Sequence, residues 1–144
     1  MAMTNVQPHQ TVGTQGYGLV LSELKSGWAL KYTAVGAQIT SGDKEDTVSA
    51  LFDIPTPVNF NPNAKLQSLS VTMTTPSQNK PSVTELKIYK GSELDQTQTG
   101  PWTQSFTANL TQTPAPAGAI GVELFLKFPV RTILTISEVN LTVA

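Results

Sequence analysis

Apolar and polar residues alternate along much of this chain, and the alternation has a period of two. Leu69, Val71 and Met73 alternate with Ser70, Thr72 and Thr74, so Leu66–Thr74 reads as a strand with one face buried. Val83–Lys90 sets Leu86 and Ile88 against Glu85 and Lys87. Trp102–Leu110 sets Trp102, Phe106, Ala108 and Leu110 against Thr103, Ser105, Thr107 and Asn109. Ile120, Val122, Leu124, Leu126 and Phe128 alternate with Gly121, Glu123, Phe125 and Lys127, and Val139, Leu141 and Val143 with Asn140 and Thr142. Shorter runs with strand character cover Tyr17–Ser22, Trp28–Thr33 and Val48–Ile54, and the Ser41-Gly42-Asp43 turn lies within Gln38–Asp46. No apolar set repeats every 3.6 residues. The expectation is an all-β chain.

Clusters of Gly, Pro, Asn and Ser punctuate these runs. Pro55-Thr56-Pro57 ends one strand, Pro76 and Pro81 bound a loop, and Thr113–Gly118 is stiffened by Pro114 and Pro116. A cis peptide at Ile54-Pro55 or Thr56-Pro57 is compatible with the sequence. Lys90 to Pro101 reads as a long polar connection, with room for one helical turn near Gly91–Thr97. Residues 1–14 read as a flexible arm, followed by a single domain over 15–144. About eight strands with polar outer faces suit an antiparallel two-sheet β-sandwich, jelly-roll or immunoglobulin-like.

Composition narrows the function. The chain has 144 residues, 39% hydrophobic and only 13% charged, with a net charge of −1. Enough apolar material is present for a core, and the surface must be built from Thr, Ser, Gln and Asn. Arg131 is the only arginine and the lysines are scattered, so nucleic acid is rejected as a partner. Without cysteine there is neither a disulfide framework nor a thiolate metal site. Met1–Gly16 is polar with no apolar core of a leader, and no apolar run spans a bilayer. A soluble chain is expected, cytoplasmic or exported by another route, and no cofactor is implied.

Phe52-Asp53-Ile54-Pro55-Thr56-Pro57-Val58, the strand ending Lys87-Ile88-Tyr89-Lys90-Gly91, the run Gly121–Phe128 and the final strand from Ile133 stand in one order. That order resembles an uncharacterised family of small bacterial and fungal β-sandwich proteins carrying an Ile-Pro-Thr-Pro-Val segment. The likeness covers residues 48–144, and Lys90 departs from it where an acidic residue is usual. The resemblance implies a fold and carries no activity.

Candidate chemistry is sparse. His9, the only histidine, lies in the polar arm, and no nucleophile elbow, phosphate loop or zinc helix is present. Asp53, Glu85 and Glu123 sit in or beside strands and supply the acids that a carboxylate hydrolase needs, although solvated strand-face charges look the same in sequence. Asp43, Glu45 and Asp46 crowd a glycine-containing loop but are thin for Ca²⁺, so an ordinary turn is expected. Asn109-Leu110-Thr111 and Asn140-Leu141-Thr142 match glycosylation acceptors within strands and are read as coincidence.

The aromatics are the better lead. Tyr17, Trp28, Tyr32, Tyr89 and Trp102 offer flat apolar faces with polar edges, suited to stacking on a sugar ring. Trp28 follows Gly27 and Trp102 follows Gly100-Pro101, which places both at sandwich ends where loops gather. Trp28, Tyr32, Tyr89 and Trp102 are therefore the candidate ligand-binding residues, on a non-enzymatic module with carbohydrate as the first ligand class. A structural or self-assembling subunit (coat, envelope or secreted component) whose partner is another protein or a second copy is the alternative, and the carboxylate hydrolase is the third.

Overall fold

The computed structural model describes residues 10–15, 18–56, 63–116 and 118–144. Among these residues eleven strands follow one another: β1 (Gln10–Gln15), β2 (Val20–Leu21), β3 (Ala29–Thr33), β4 (Gly36–Thr40), β5 (Asp46–Thr56), β6 (Leu66–Thr74), β7 (Ser82–Lys90), β8 (Glu93–Trp102), β9 (Phe106–Asn109), β10 (Gly118–Phe128) and β11 (Ile133–Val143). They form two antiparallel sheets. One has the order β3-β4-β11-β6-β9, with β1 also paired to β11, and the other the order β2-β5-β10-β7-β8. The expected two-sheet β-sandwich is present.

The period-two pattern decides which side chains meet between the layers. Leu69, Val71, Met73, Leu134, Ile136, Val139 and Leu141 from the first sheet are buried, as are Ala50, Phe52, Ile54, Leu86, Ile88, Val122, Leu124 and Leu126 from the second. β10 lies between β5 and β7, and β11 lies between β6 and the β4/β1 pair, so these two strands form the middle of their layers. Burial there removes roughly 25 cal/mol of unfavourable hydration per Å² of apolar surface.

Four expectations need correction, the first being that the run expected as one strand over Trp102–Leu110 is split, Trp102 ending β8 and Phe106–Asn109 forming β9 in the other sheet. The Lys90–Pro101 stretch, expected as a polar connection with a helical turn, is strand β8. Lys90 pairs with Glu93 across a two-residue hairpin whose Gly91 has φ 63°, the left-handed value that primed turns require. The arm expected over residues 1–14 is strand from Gln10 onward, running antiparallel to Glu138–Val143; residues 1–9, including His9, lie outside the described ones. The strand expected to end at Ile54 continues to Thr56, with Pro55 opposite Ala119. β2 covers only Ala50 and Leu51 of β5, so Pro55 sits where no neighbour needs its missing N–H. The cis X–Pro peptide among the described residues is Gly100-Pro101, while Pro57 lies outside them.

Candidate functional site

On β5, β10 and β7 the residues out of phase with the core point away from the sandwich. The register aligns them in rows. Asp53, Gly121 and Tyr89 form one row, and Val20, Leu51, Glu123 and Lys87 the next. Ser49, Phe125 and Glu85 follow in a third. Three of these positions break the polar-out rule: Phe125 in the third row, Leu51, which is 40% exposed, and Val20, beside it on β2, which is 60% exposed. Gly121 leaves a gap between the latter two and Tyr89. A Cβ at Gly121 would stand 3.4 Å from Tyr89 Cβ and 4.0 Å from its Cδ2, so the tyrosine occupies one side of a trough floored by backbone. The resulting groove encloses about 380 Å³, walled by Tyr89 on one side and by Val20 and Leu51 on the other, with Asp53 and Gly91 also lining it.

The polar groups on this face hold one another in place. Tyr89 donates its hydroxyl to Glu123 Oε1 at 2.9 Å, which fixes the ring's position. Burial first, and then the Glu123 carboxylate, push the phenol above its ordinary value. Lys87 stands 5.1 Å from the centre of the Phe125 ring and 3.6 Å from Glu85. Asp53 projects at the end of the groove and is exposed. Three acids named in the sequence thus share one face, but Glu123 is held by Tyr89 and Glu85 by Lys87, on an open surface rather than in a water-excluding pocket.

Of the four candidate ligand-binding aromatics, the structure puts only Tyr89 on this face. Trp28 is 9% exposed and meets Phe128 edge-to-face at 5.1 Å, capping the core. Trp102, at the end of β8, stacks on Phe106, at the start of β9, with centroids 4.3 Å apart and planes at 7°. That stack closes the edge between the two sheets. Tyr32 is 51% exposed on the edge strand β3 and donates its hydroxyl to the Leu19 carbonyl at 2.8 Å. Tyr17 lies outside the described residues. The acids of the 43–46 loop part company as well: Asp43 binds Arg131 Nε at 2.8 Å, Glu45 faces Lys127 at 3.3 Å and Asp46 faces Lys25 at 3.4 Å. The backbone N–H of Thr47 is the main cause holding the Asp46 carboxyl below its ordinary value; Lys25 adds to it against burial.

Val20, Leu51 and Gly121 were not legible as site residues from residue type. The signal for Leu51 was its phase: it stands between Ala50 and Phe52, which point inward, so its side chain must point out.

No family model matches the chain, and no curated protein matches it. Solved structures do share its fold. TmCBM61, solved with β-1,4-galactotriose, aligns over 88% of this chain and 89% of its own at 9% identity and a TM-score of 0.57. The xylan-binding module CBM15 aligns over 95% and 98% at 16% identity, also at 0.57. The low-affinity xylan-binding module CBM86 from Roseburia intestinalis aligns over 94% and 96% at 13% identity and 0.54. The chain has the β-sandwich fold of these carbohydrate-binding modules.

Proposed function

We propose that this protein is a non-catalytic carbohydrate-binding module that holds a glycan against the outer face of its five-stranded sheet. The observation that carries this reading is the exposed Val20 and Leu51 facing the half-buried Tyr89 across the Gly121 floor, with the Asp53 carboxylate lining the groove and that of Glu123 behind Tyr89. A sugar ring has an apolar C–H face and a rim of hydroxyls. Its face packs on these side chains, and its hydroxyls donate to carboxylate oxygens that retain free lone pairs. Tyr89 arrives pre-oriented by Glu123, so little side-chain freedom is lost on binding. Sugar binding by fold neighbours, galactotriose for one and xylan for two, supports the ligand class. The groove opens along the sheet surface, which suits an internal stretch of a chain.

Isothermal titration against xylan oligosaccharides, β-1,4-galactotriose and a broad glycan array tests the reading. Tyr89→Ala is expected to weaken the best ligand about tenfold or more, a loss of roughly 1.4 kcal/mol. Trp102→Phe, on a different edge, leaves affinity unchanged. Absence of binding by the wild type across the array overturns the proposal.

A further inference from the structure

At one end of the sandwich, away from the sheet face, the turn Lys25–Trp28 and the loop Gly42–Asp46 enclose a second cleft of about 490 Å³. Both walls are built by hydrogen bonds. Trp28 N–H donates to the Lys25 carbonyl at 3.1 Å, and Arg131 N–H donates to the Gly42 carbonyl at 2.9 Å. Ser41, next to Gly42, bonds through its buried hydroxyl to the Pro129 carbonyl at 2.6 Å and receives the Thr132 N–H at 2.8 Å. Preformed walls of this volume are what small-molecule sites require.

The cleft holds a polar group without a protein partner among the described residues. Trp28 is nine-tenths buried, and among the described residues its indole N–H has no hydrogen-bond partner, though no side-chain polar atom there is both buried and unsatisfied. The N–H therefore reaches solvent, and the cleft is where Trp28 is lined by open space. Trp28 Cδ1, the ring carbon bonded to Nε1, stands 3.2 Å from where a Gly42 Cβ would be, so the ring edge that carries the N–H faces the glycine wall. A Cβ at Gly27 would meet nothing within 4 Å. Gly42 thus keeps the approach to the indole edge clear, and Gly27 faces open space.

The charges around the cleft balance: Lys25, Lys44 and Arg131 stand against Glu23, Asp43 and Asp46. Lys25 is shared by Glu23 and Asp46 at 3.4 Å each, and Asp43 Oδ1 takes Arg131. A bound ion of either sign would therefore leave the cleft with an unmatched charge. The groups left over are the Trp28 indole N–H, the Lys44 ammonium and Asp43 Oδ2, none with a hydrogen-bond partner among the described residues. Two donors and an acceptor suit a ligand that both accepts and donates without carrying charge. We infer that this end cleft is a second binding site, independent of the sheet face, for a neutral vicinal diol such as that of a terminal sugar ring.

Trp28 and Trp102 are the only tryptophans, so ¹⁵N-labelled Trp102→Phe protein gives one indole N–H signal, that of Trp28. Methyl glycosides of xylose, galactose and mannose are titrated in, with sodium phosphate and calcium chloride as charged controls. A saturable shift of the Trp28 signal with a glycoside, in the millimolar range or tighter, is the expected result. The shift survives Tyr89→Ala and is lost in Gly42→Ala, whose methyl group would enter 3.0 Å from the Gly27 carbonyl oxygen. Should Gly42→Ala not fold, Trp28→Phe serves instead: the glycoside-induced shift of the Gly27 amide is expected to weaken at least tenfold. A Trp28 signal that no glycoside moves overturns the cleft while leaving the sheet-face reading intact. A shift with phosphate or calcium alone overturns it too, since the site would then be ionic.

Discussion

Gly121 and Asp95 show how much rests on single positions. A Cβ at Gly121 makes ordinary contact with Tyr89, so Gly121→Val fits the strand and keeps the fold while filling the groove floor. The expected outcome is a Tm within a few degrees of wild type together with loss of glycan affinity, measured by calorimetry on the same samples. Asp95 is a stability residue. Its carboxylate takes Thr113 Oγ1 at 2.7 Å, Gln96 Nε2 at 2.9 Å and Lys90 Nζ at 3.1 Å. Burial would raise its pKa, but those three partners outweigh burial and hold it below the ordinary carboxylate value. The stabilisation is therefore present above the unfolded value and lost as pH falls through the folded one. Asp95→Asn should cost about 1–3 kcal/mol at neutral pH, and the gap in Tm between wild type and variant should close as pH drops below about 4. A gap that is constant with pH contradicts the assignment.

Individual strands differ in how plainly they can be read. β6, β10 and β11 lie in the middle of the layers, so one face of each must be apolar and the sequence alternates visibly. β8 lies at the edge, and its Thr97-Gln98-Thr99 run has no buried residue; a strand without a core face leaves no hydrophobic signal, only Thr and the Gly91 turn. β8 is fixed instead by Gln96, whose amide donates to the Thr111 carbonyl at 2.9 Å and accepts the Thr111 N–H at 2.8 Å. The side chain completes a backbone ladder that the strands leave open, tying one sheet's edge to the segment after β9 in the other. Gln96→Ala is expected to lower stability by about 1–2 kcal/mol in urea unfolding, with an unchanged m-value. The site was half legible for a related reason. Tyr89 stood out by type and Leu51 by phase. The fates of Trp28 and Trp102 depend on Phe128 and Phe106, partners that no local pattern names.

Across the whole molecule, the near-zero net charge bears on recognition. A groove whose contacts are apolar packing and hydrogen bonds to a neutral sugar has no counterions to release. Affinity for the best glycan is expected to change less than about twofold between low and high salt, where charge-driven binding would fall steeply. A strong salt slope points to an anionic ligand and away from the proposed groove.

β1 joins opposite ends of the chain: Gln10 pairs with Val143 and Gln15 with Glu138, on the half of β11 that β4 does not reach. The fit is keyed at Gly13, where a Cβ would collide with the Asn140 side chain and the Val139 carbonyl. A chain shortened past Gln15, or one carrying Gly13→Leu, has a vacant lane along β11 whose backbone groups await a partner. Such a chain should capture a synthetic Gln10–Gln15 peptide, or the same segment from an intact neighbour, and exchanged dimers would elute ahead of the monomer.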